Sequence, residues 1–213
     1  MKWNAPNILT VGRVGLAAVF FALLGLYEKN TPEEGRWMLN AAFVIYIVAG
    51  ITDVLDGWIA RKCNMTSAFG RMLDPIVDKV LVVGGFAMLA GANFSLGADV
   101  PGAGVPAWLA GGMRSTVQAW MVVLIAGREF IVSGVRGYSE SKGVKFPATP
   151  AGKIKMFLQS FAICTILYQL ANLPEAAWAI WLKVLAVWAS VLATVVSGFV
   201  YVGRARRLLT GDE

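Results

Sequence analysis

A helix needs about 20 mostly apolar residues to cross the hydrocarbon core of a bilayer. This chain has six such runs, approximately over residues 7–27, 37–60, 75–93, 117–138, 152–173 and 178–202. No single soluble core could bury that much apolar surface. Apolar residues make up 57% of the 213 and charged residues 15%, with a mean hydropathy of +0.64. Soluble domains average roughly 45–50% apolar and about 25% charged. The expected fold is therefore an all-α integral membrane protein. It forms one domain over residues 1–213, with six transmembrane helices packed as a bundle. Pro6, Pro75 and Pro150 fall at or just before the expected helix starts, where a missing N–H costs little.

The charge balance, +6 with a pI near 9.5, would suggest a nucleic-acid partner in a soluble protein. Here the basic residues flank apolar runs and no recognition module is present, so nucleic acid is not an expected partner. Of the 19 Lys and Arg, all but Lys29, Arg36, Arg114 and Lys183 fall on one side if both termini are cytoplasmic. That asymmetry follows the positive-inside rule and requires an even number of spans. The N-terminus lacks the pattern of a cleavable signal, since Pro6 and Arg13 interrupt it and no small-residue cleavage site follows. Cys63 and Cys164 show neither metal nor disulfide spacing. The connection over 97–112, rich in Gly, Ala and Pro, is expected to be a surface loop on the far side. Gly84, Gly85, Ala87, Gly91, Ala189 and Ala193 are expected to allow close helix packing.

Chemistry concentrates in residues 51–79. Asp53 and Asp56 are three apart, so their carboxylates share a helix face. Gly57 and Ala60 continue that face with almost no side chain, and Arg61 follows. After a polar turn, Asp74 and Asp78 repeat the arrangement at a spacing of four. An aspartate at mid-membrane costs about 2.5–3.5 kcal/mol on insertion scales, so four need compensation. Divalent cations supply it, and hard oxygen ligands suit Mg2+ or Mn2+. Two metals among four carboxylates would form a clamp for displacement at phosphorus. The blander reading is that these aspartates pair with Arg61, Arg71 and Lys79 as helix-end salt bridges. Histidine is absent, so a general base would be a carboxylate, a tyrosine or a lysine.

The pattern Asp53-x-x-Asp56-Gly57-x-x-Ala60-Arg61, then Gly70-x-x-x-Asp74-x-x-x-Asp78, resembles the full signature of the CDP-alcohol phosphotransferases. That resemblance implies a homodimer of six-helix chains with a polar cavity open to the cytoplasm. It implies that Asp53, Asp56, Asp74 and Asp78 hold two divalent metals, Mg2+ or Mn2+, that bind the CDP diphosphate. Asp56, Gly57, Ala60, Arg61 and Gly70 would contact the nucleotide, and Asp78 would also deprotonate the acceptor hydroxyl. The implied location is the inner membrane, with the active site facing the cytoplasm.

The acceptor is read from the second half. Arg128 and Arg136 lie roughly on one face of the fourth run, and Lys153 and Lys155 open the fifth. Cations entering a cavity lined by carboxylates suit an anionic acceptor held through its phosphate, although positive-inside topology alone also places cations there. From residue 3 to 205 the chain resembles the branch of the family that joins CDP-diacylglycerol to glycerol 3-phosphate. The resemblance is carried by Asn4-x-Pro6-Asn7-x-Leu9-Thr10-x-x-Arg13, by residues 73–79, by Arg128-Glu129-Phe130 with Ser133 and Arg136, and by Gly152-Lys153-Ile154-Lys155 with Gln159. Met156 departs from it, standing where a threonine is usual. Arg13 is either functional or a side chain that extends to the cytoplasmic surface. Inositol phosphate, serine or phosphatidylglycerol are the alternative acceptors. A divalent-cation transporter is the alternative of another class, but it leaves Gly57, Ala60 and Arg61 unexplained and needs acids through the whole membrane depth.

Overall fold

The computed structural model describes residues 5–28, 32–63, 68–95, 104–142 and 149–210, and the side chains of 11–28, 34–53, 55, 79–95, 104–139, 141–142 and 149–203. It is all-helical: α1 Ala5–Leu26, α2 Pro32–Cys63, α3 Ala68–Leu89, a short α4 Ala107–Ala110, α5 Ala119–Ser141, α6 Pro150–Asn172 and α7 Ala177–Thr210. No strand occurs among the described residues beyond one isolated bridge, Ser95 to Met113. Each of the six apolar runs thus falls on its own long helix.

Composition alone marks three of these as long and apolar enough to cross a membrane among the described residues, over Glu34–Asp53, Pro150–Asn172 and Ala177–Gly203. Shorter apolar stretches, Val11–Leu26 and Lys79–Leu89, lie on α1 and α3. The shortfall against the expected six has a chemical cause in α5, where Arg128, Glu129 and Arg136 interrupt an otherwise apolar helix. The boundary of α3 also differs from expectation. It starts at Ala68, so Pro75 lies inside the helix, where it cannot donate to the carbonyl four residues back. Gly70, Arg71 and Asp74 break the apolar run ahead of Pro75, which hid this helical turn from an apolar count. At α6 the expectation holds: Pro150 is the first helical residue, and Thr149 Oγ1 caps it by accepting from Gly152 N at 3.2 Å.

The long helices form a closed ring in the order α1, α3, α5, α7, α6, α2, and α3 also meets α6 across the centre. Glycines of α3 permit its close approach to α1 and to α6. A Cβ on Gly84 would lie 2.6 Å from Phe21 Cζ, and one on Gly85 would lie 3.2 Å from Ile163 Cδ1. Ala87, expected to serve the same purpose, is instead exposed. Phe20, Tyr46, Phe86, Met121, Ile163 and Leu167 fill the interior among them.

Side-chain bonds show which helix ends lie together. At one end, Asn93 donates to Gly25 O at 3.1 Å, and Arg36 and Asn40 reach Asn172 Oδ1 at 3.4 Å. Exposed Trp37, Trp108, Trp120, Trp178 and Trp181 cluster at helix starts of this end, as side chains of an interfacial belt do. The loop before α5 is anchored rather than merely superficial: Ser115 Oγ donates to Leu89 O at 2.6 Å, and Trp188 Nε1 donates to Leu109 O at 3.2 Å. Lys183, counted above among far-side charges, is buried there and donates to Gln169 Oε1 at 2.9 Å and to Arg114 O. Replacing it with methionine keeps the stem but orphans both acceptors, each worth about 1–3 kcal/mol when buried. Lys183→Met should therefore lower the thermal midpoint in detergent by several degrees; an unchanged midpoint would show that water satisfies those acceptors.

Candidate active site

The opposite end of the ring gathers the chemistry. Asp53, Asp56, Gly57, Ala60 and Arg61 lie on the closing turns of α2, and Gly70, Asp74 and Asp78 on the opening turns of α3. Asp53 is the member of the set whose side chain is described. Those of Asp56, Gly57, Ala60, Arg61, Gly70, Asp74 and Asp78 lie outside the described residues. Helix α1 packs against both α2 and α3, and from it Arg13 Nη1 reaches Asp53 Oδ1 at 2.6 Å. Arg13 is 1% exposed, so its guanidinium is sunk in the bundle rather than extended to the surface. The salt-bridge reading of the sequence named Arg61, Arg71 and Lys79 as partners. For Asp53 the partner is Arg13, forty positions away and invisible to helical spacing. A carboxylate has about four lone-pair sites, so this bond does not exhaust its capacity as a ligand.

A second cluster joins α3, α5, α6 and α7. Glu129 Oε1 accepts from Arg128 Nη1 at 3.1 Å and from the buried amine of Lys155 on α6. One turn on, Ser133 Oγ donates to the Glu129 carbonyl at 2.6 Å and accepts from Lys79 Nζ of α3. The Arg128 guanidinium lies 5.0 Å from the centroid of the Tyr201 ring on α7, a cation–π distance. Tyr201 Oη in turn accepts from Thr149 N at 3.2 Å, tying α7 to the start of α6. Deeper in the same α6–α7 seam, Gln159 Nε2 donates to Thr194 Oγ1 at 3.0 Å, and both residues are fully buried.

Of the four cations proposed for an anion, the structure brings Arg128 and Lys155 onto one carboxylate. Arg136, two turns along α5, has its Nε buried without a hydrogen-bond partner among the described residues, as are Nε and Nη2 of Arg128. Lys153 is exposed and makes no ion pair among the described residues. Met156 is 51% exposed while neighbouring Lys155 is 2% exposed, so the departure from the usual threonine falls on another side of α6. Sequence reasoning quoted Glu129, Ser133 and Gln159 without a role and did not single out Tyr201. An Arg-Glu pair inside an apolar helix was the available signal, because a lone carboxylate there needs partners.

This arrangement sets an aspartate-bearing helix, α3, beside a cationic cluster through the Lys79–Ser133 bond. A sequence model of the CDP-alcohol phosphatidyltransferase family matches residues 3–196. The chain belongs to that family. It is 33% identical over 204 residues to the CDP-diacylglycerol–glycerol-3-phosphate 3-phosphatidyltransferase of Bacillus subtilis, with 93% of each chain covered. The enzyme of that name from Rickettsia bellii is also 33% identical, again over 93% of each chain. A Mycobacterium tuberculosis protein named a probable phosphatidylglycerophosphate synthase is 33% identical over 98% of this chain and 84% of its own. As a CDP-alcohol phosphatidyltransferase, the chain is a transferase of apolar, membrane-type helices.

In this phosphatidyltransferase, Lys79 directly follows the last signature aspartate, so its bond to Ser133 ties that helix to the cations. Ser133→Ala removes the acceptor, a charge-assisted bond worth about 1.5–3 kcal/mol. Transferase activity should fall roughly tenfold or more with helix content unchanged by circular dichroism; full activity would show that the tie is incidental.

Proposed function

We propose that the chain transfers the phosphatidyl group of CDP-diacylglycerol to glycerol 3-phosphate, releasing CMP and forming phosphatidylglycerol phosphate. The observation that carries this reading is the Lys79–Ser133 contact, which joins the helix of Asp74 and Asp78 to the helix of Arg128 and Glu129. The donor follows from the family. The acceptor follows from the cations, and the named relatives act with the same acceptor.

Six spans support the setting. Each long helix has at least 22 residues, about 33 Å at 1.5 Å per residue, and the ends meet alternately at two poles. With an even number of crossings, both termini and the aspartate pole face the cytoplasm of the inner membrane, where most Lys and Arg lie. Arg128 and Glu129 within α5 are tolerable at that depth because they pair with one another and with Lys155 of α6. The homodimer is carried over from the family resemblance.

Asp53, Asp56, Asp74 and Asp78 would hold two Mg2+ or Mn2+ ions; their donor set, all carboxylate oxygen, fits such hard cations. When bound, the ions neutralise charge on the diphosphate oxygens. Asp56, Gly57, Ala60, Arg61 and Gly70 lie along the cytidine nucleotide, the small residues leaving room against the backbone. Arg128, Arg136, Lys153 and Lys155 hold the acceptor phosphate. Asp78 takes the proton from the acceptor hydroxyl as its oxygen bonds to the lipid-side phosphorus. The phosphorus–oxygen bond to CMP breaks, and CMP leaves as a phosphate monoester.

The test incubates detergent-purified protein with CDP-diacylglycerol and Mg2+ and, separately, glycerol 3-phosphate, inositol phosphate, serine or phosphatidylglycerol. CMP release is measured beside an EDTA control and Asp78→Asn. Metal-dependent release with glycerol 3-phosphate alone, lost in the variant, is expected. Release with another acceptor would overturn the reading of the cations, and release with none would sink the transferase assignment to this acceptor class.

A further inference from the structure

Glu129 has no part in the scheme above, yet among the described residues it is the acid that Arg128 and Lys155 share. We propose that Glu129 is a positioning residue for the acceptor site: its carboxylate holds Lys155 and one edge of Arg128 so that the other edge of Arg128 is presented to the phosphate. This rests on the acceptor reading just given and goes beyond it by naming what orients the cations.

The guanidinium geometry carries the argument. Glu129 Oε1 accepts from Nη1 of Arg128. Nε and Nη2 lie together on the opposite edge of the fork, and both are buried without a hydrogen-bond partner among the described residues. That edge is the one that grips two oxygens of a phosphate side-on. The Arg128 side chain is only 10% exposed, so water is a poor substitute. Other contacts limit its motion. The Tyr201 ring lies against the guanidinium, and the Arg128 stem runs close to the α7 backbone at Gly198, where a Cβ would sit in ordinary contact 3.6 Å from Arg128 Cγ. Glu129 is itself anchored, because its carbonyl accepts from Ser133, which Lys79 holds from α3. With Lys155 on the same oxygen, the one carboxylate holds the two cations side by side and leaves a net positive charge for an anion.

An opposite role is conceivable for the same contacts. If Glu129 merely occupied the anion site, removing its charge would make phosphate bind more tightly, since one competing negative charge would be gone. Positioning predicts the reverse sign, so the Michaelis constants decide.

The experiment measures KM for glycerol 3-phosphate, KM for CDP-diacylglycerol and kcat for the full-length enzyme in detergent, with Glu129→Gln and Glu129→Asp, and the thermal stabilisation produced by glycerol 3-phosphate. Glutamine keeps the shape and loses the charge. Aspartate keeps the charge but falls one methylene short of serving both cations. The expected result is a rise of about tenfold or more in KM for glycerol 3-phosphate in Glu129→Gln. KM for CDP-diacylglycerol should stay within about twofold, and ligand-induced stabilisation should be lost; Glu129→Asp should show the same split to a smaller degree. If Glu129→Gln does not fold, Glu129→Asp decides by the same criterion. A KM for glycerol 3-phosphate that falls or stays constant overturns the proposal, as does a rise of both KM values together, which marks a structural role. Should wild-type enzyme turn over another phosphorylated alcohol instead, the acceptor identity fails separately, and the same split is read with that alcohol. Turnover of an unphosphorylated alcohol alone overturns both.

Discussion

Charge in a low-dielectric bundle is stable only where it is met, and the meeting of Glu129 with Arg128 and Lys155 is the contact on which this structure's polar pole depends. An uncompensated charge at membrane depth costs several kcal/mol, and of the four charged residues of α5, Arg128 and Glu129 stand near its middle. Their mutual arrangement lets α5 take a place in the ring between α3 and α7. Without it, α5 would be too polar to sit among apolar neighbours. The same contact draws α6 toward α5 through Lys155, although the broad packing surface of α6 is against α7 and α2.

The two poles of the ring solve different problems with the same means. At the tryptophan-rich pole, Lys183, Gln169 and the Arg114 carbonyl form a satisfied set that closes a loop onto the helices. Among the described residues, no buried side-chain donor or acceptor there lacks a partner. At the aspartate pole, bonding is incomplete by design of the sequence: donors of Arg128 and Arg136 stay buried without partners among the described residues. Buried polar groups are normally paired, and these donors are the ones that the proposed acceptor phosphate would satisfy. Between the poles, the closely packed core around Phe20, Phe86 and Ile163 resists deformation and keeps both ends in register.

Much of this was legible in the residues. The six apolar runs each became a long helix, because a run of that length without water has no other way to satisfy its backbone. The aspartate spacings, Gly57, Ala60 and Arg61 were readable because helical periodicity is local. Other features were not. Pro75 misled the placement of α3, since a proline ordinarily marks a helix start and here lies within one. Hydropathy counts Arg128 and Glu129 singly, whereas in the structure they meet each other and Lys155.

By itself the sequence determined the apolar character, the helical class and the family signature, because these depend on composition and on spacings within single segments. Tertiary structure alone decided that Arg13 meets Asp53, that Lys79 reaches Ser133, and that Lys155 is buried against Glu129 while Lys153 stays outside. Each of those facts joins residues from different helices. Which face of one helix meets which face of another is settled by close packing of the whole ring, including the room made by Gly84 and Gly85, and no periodicity within a single segment encodes it.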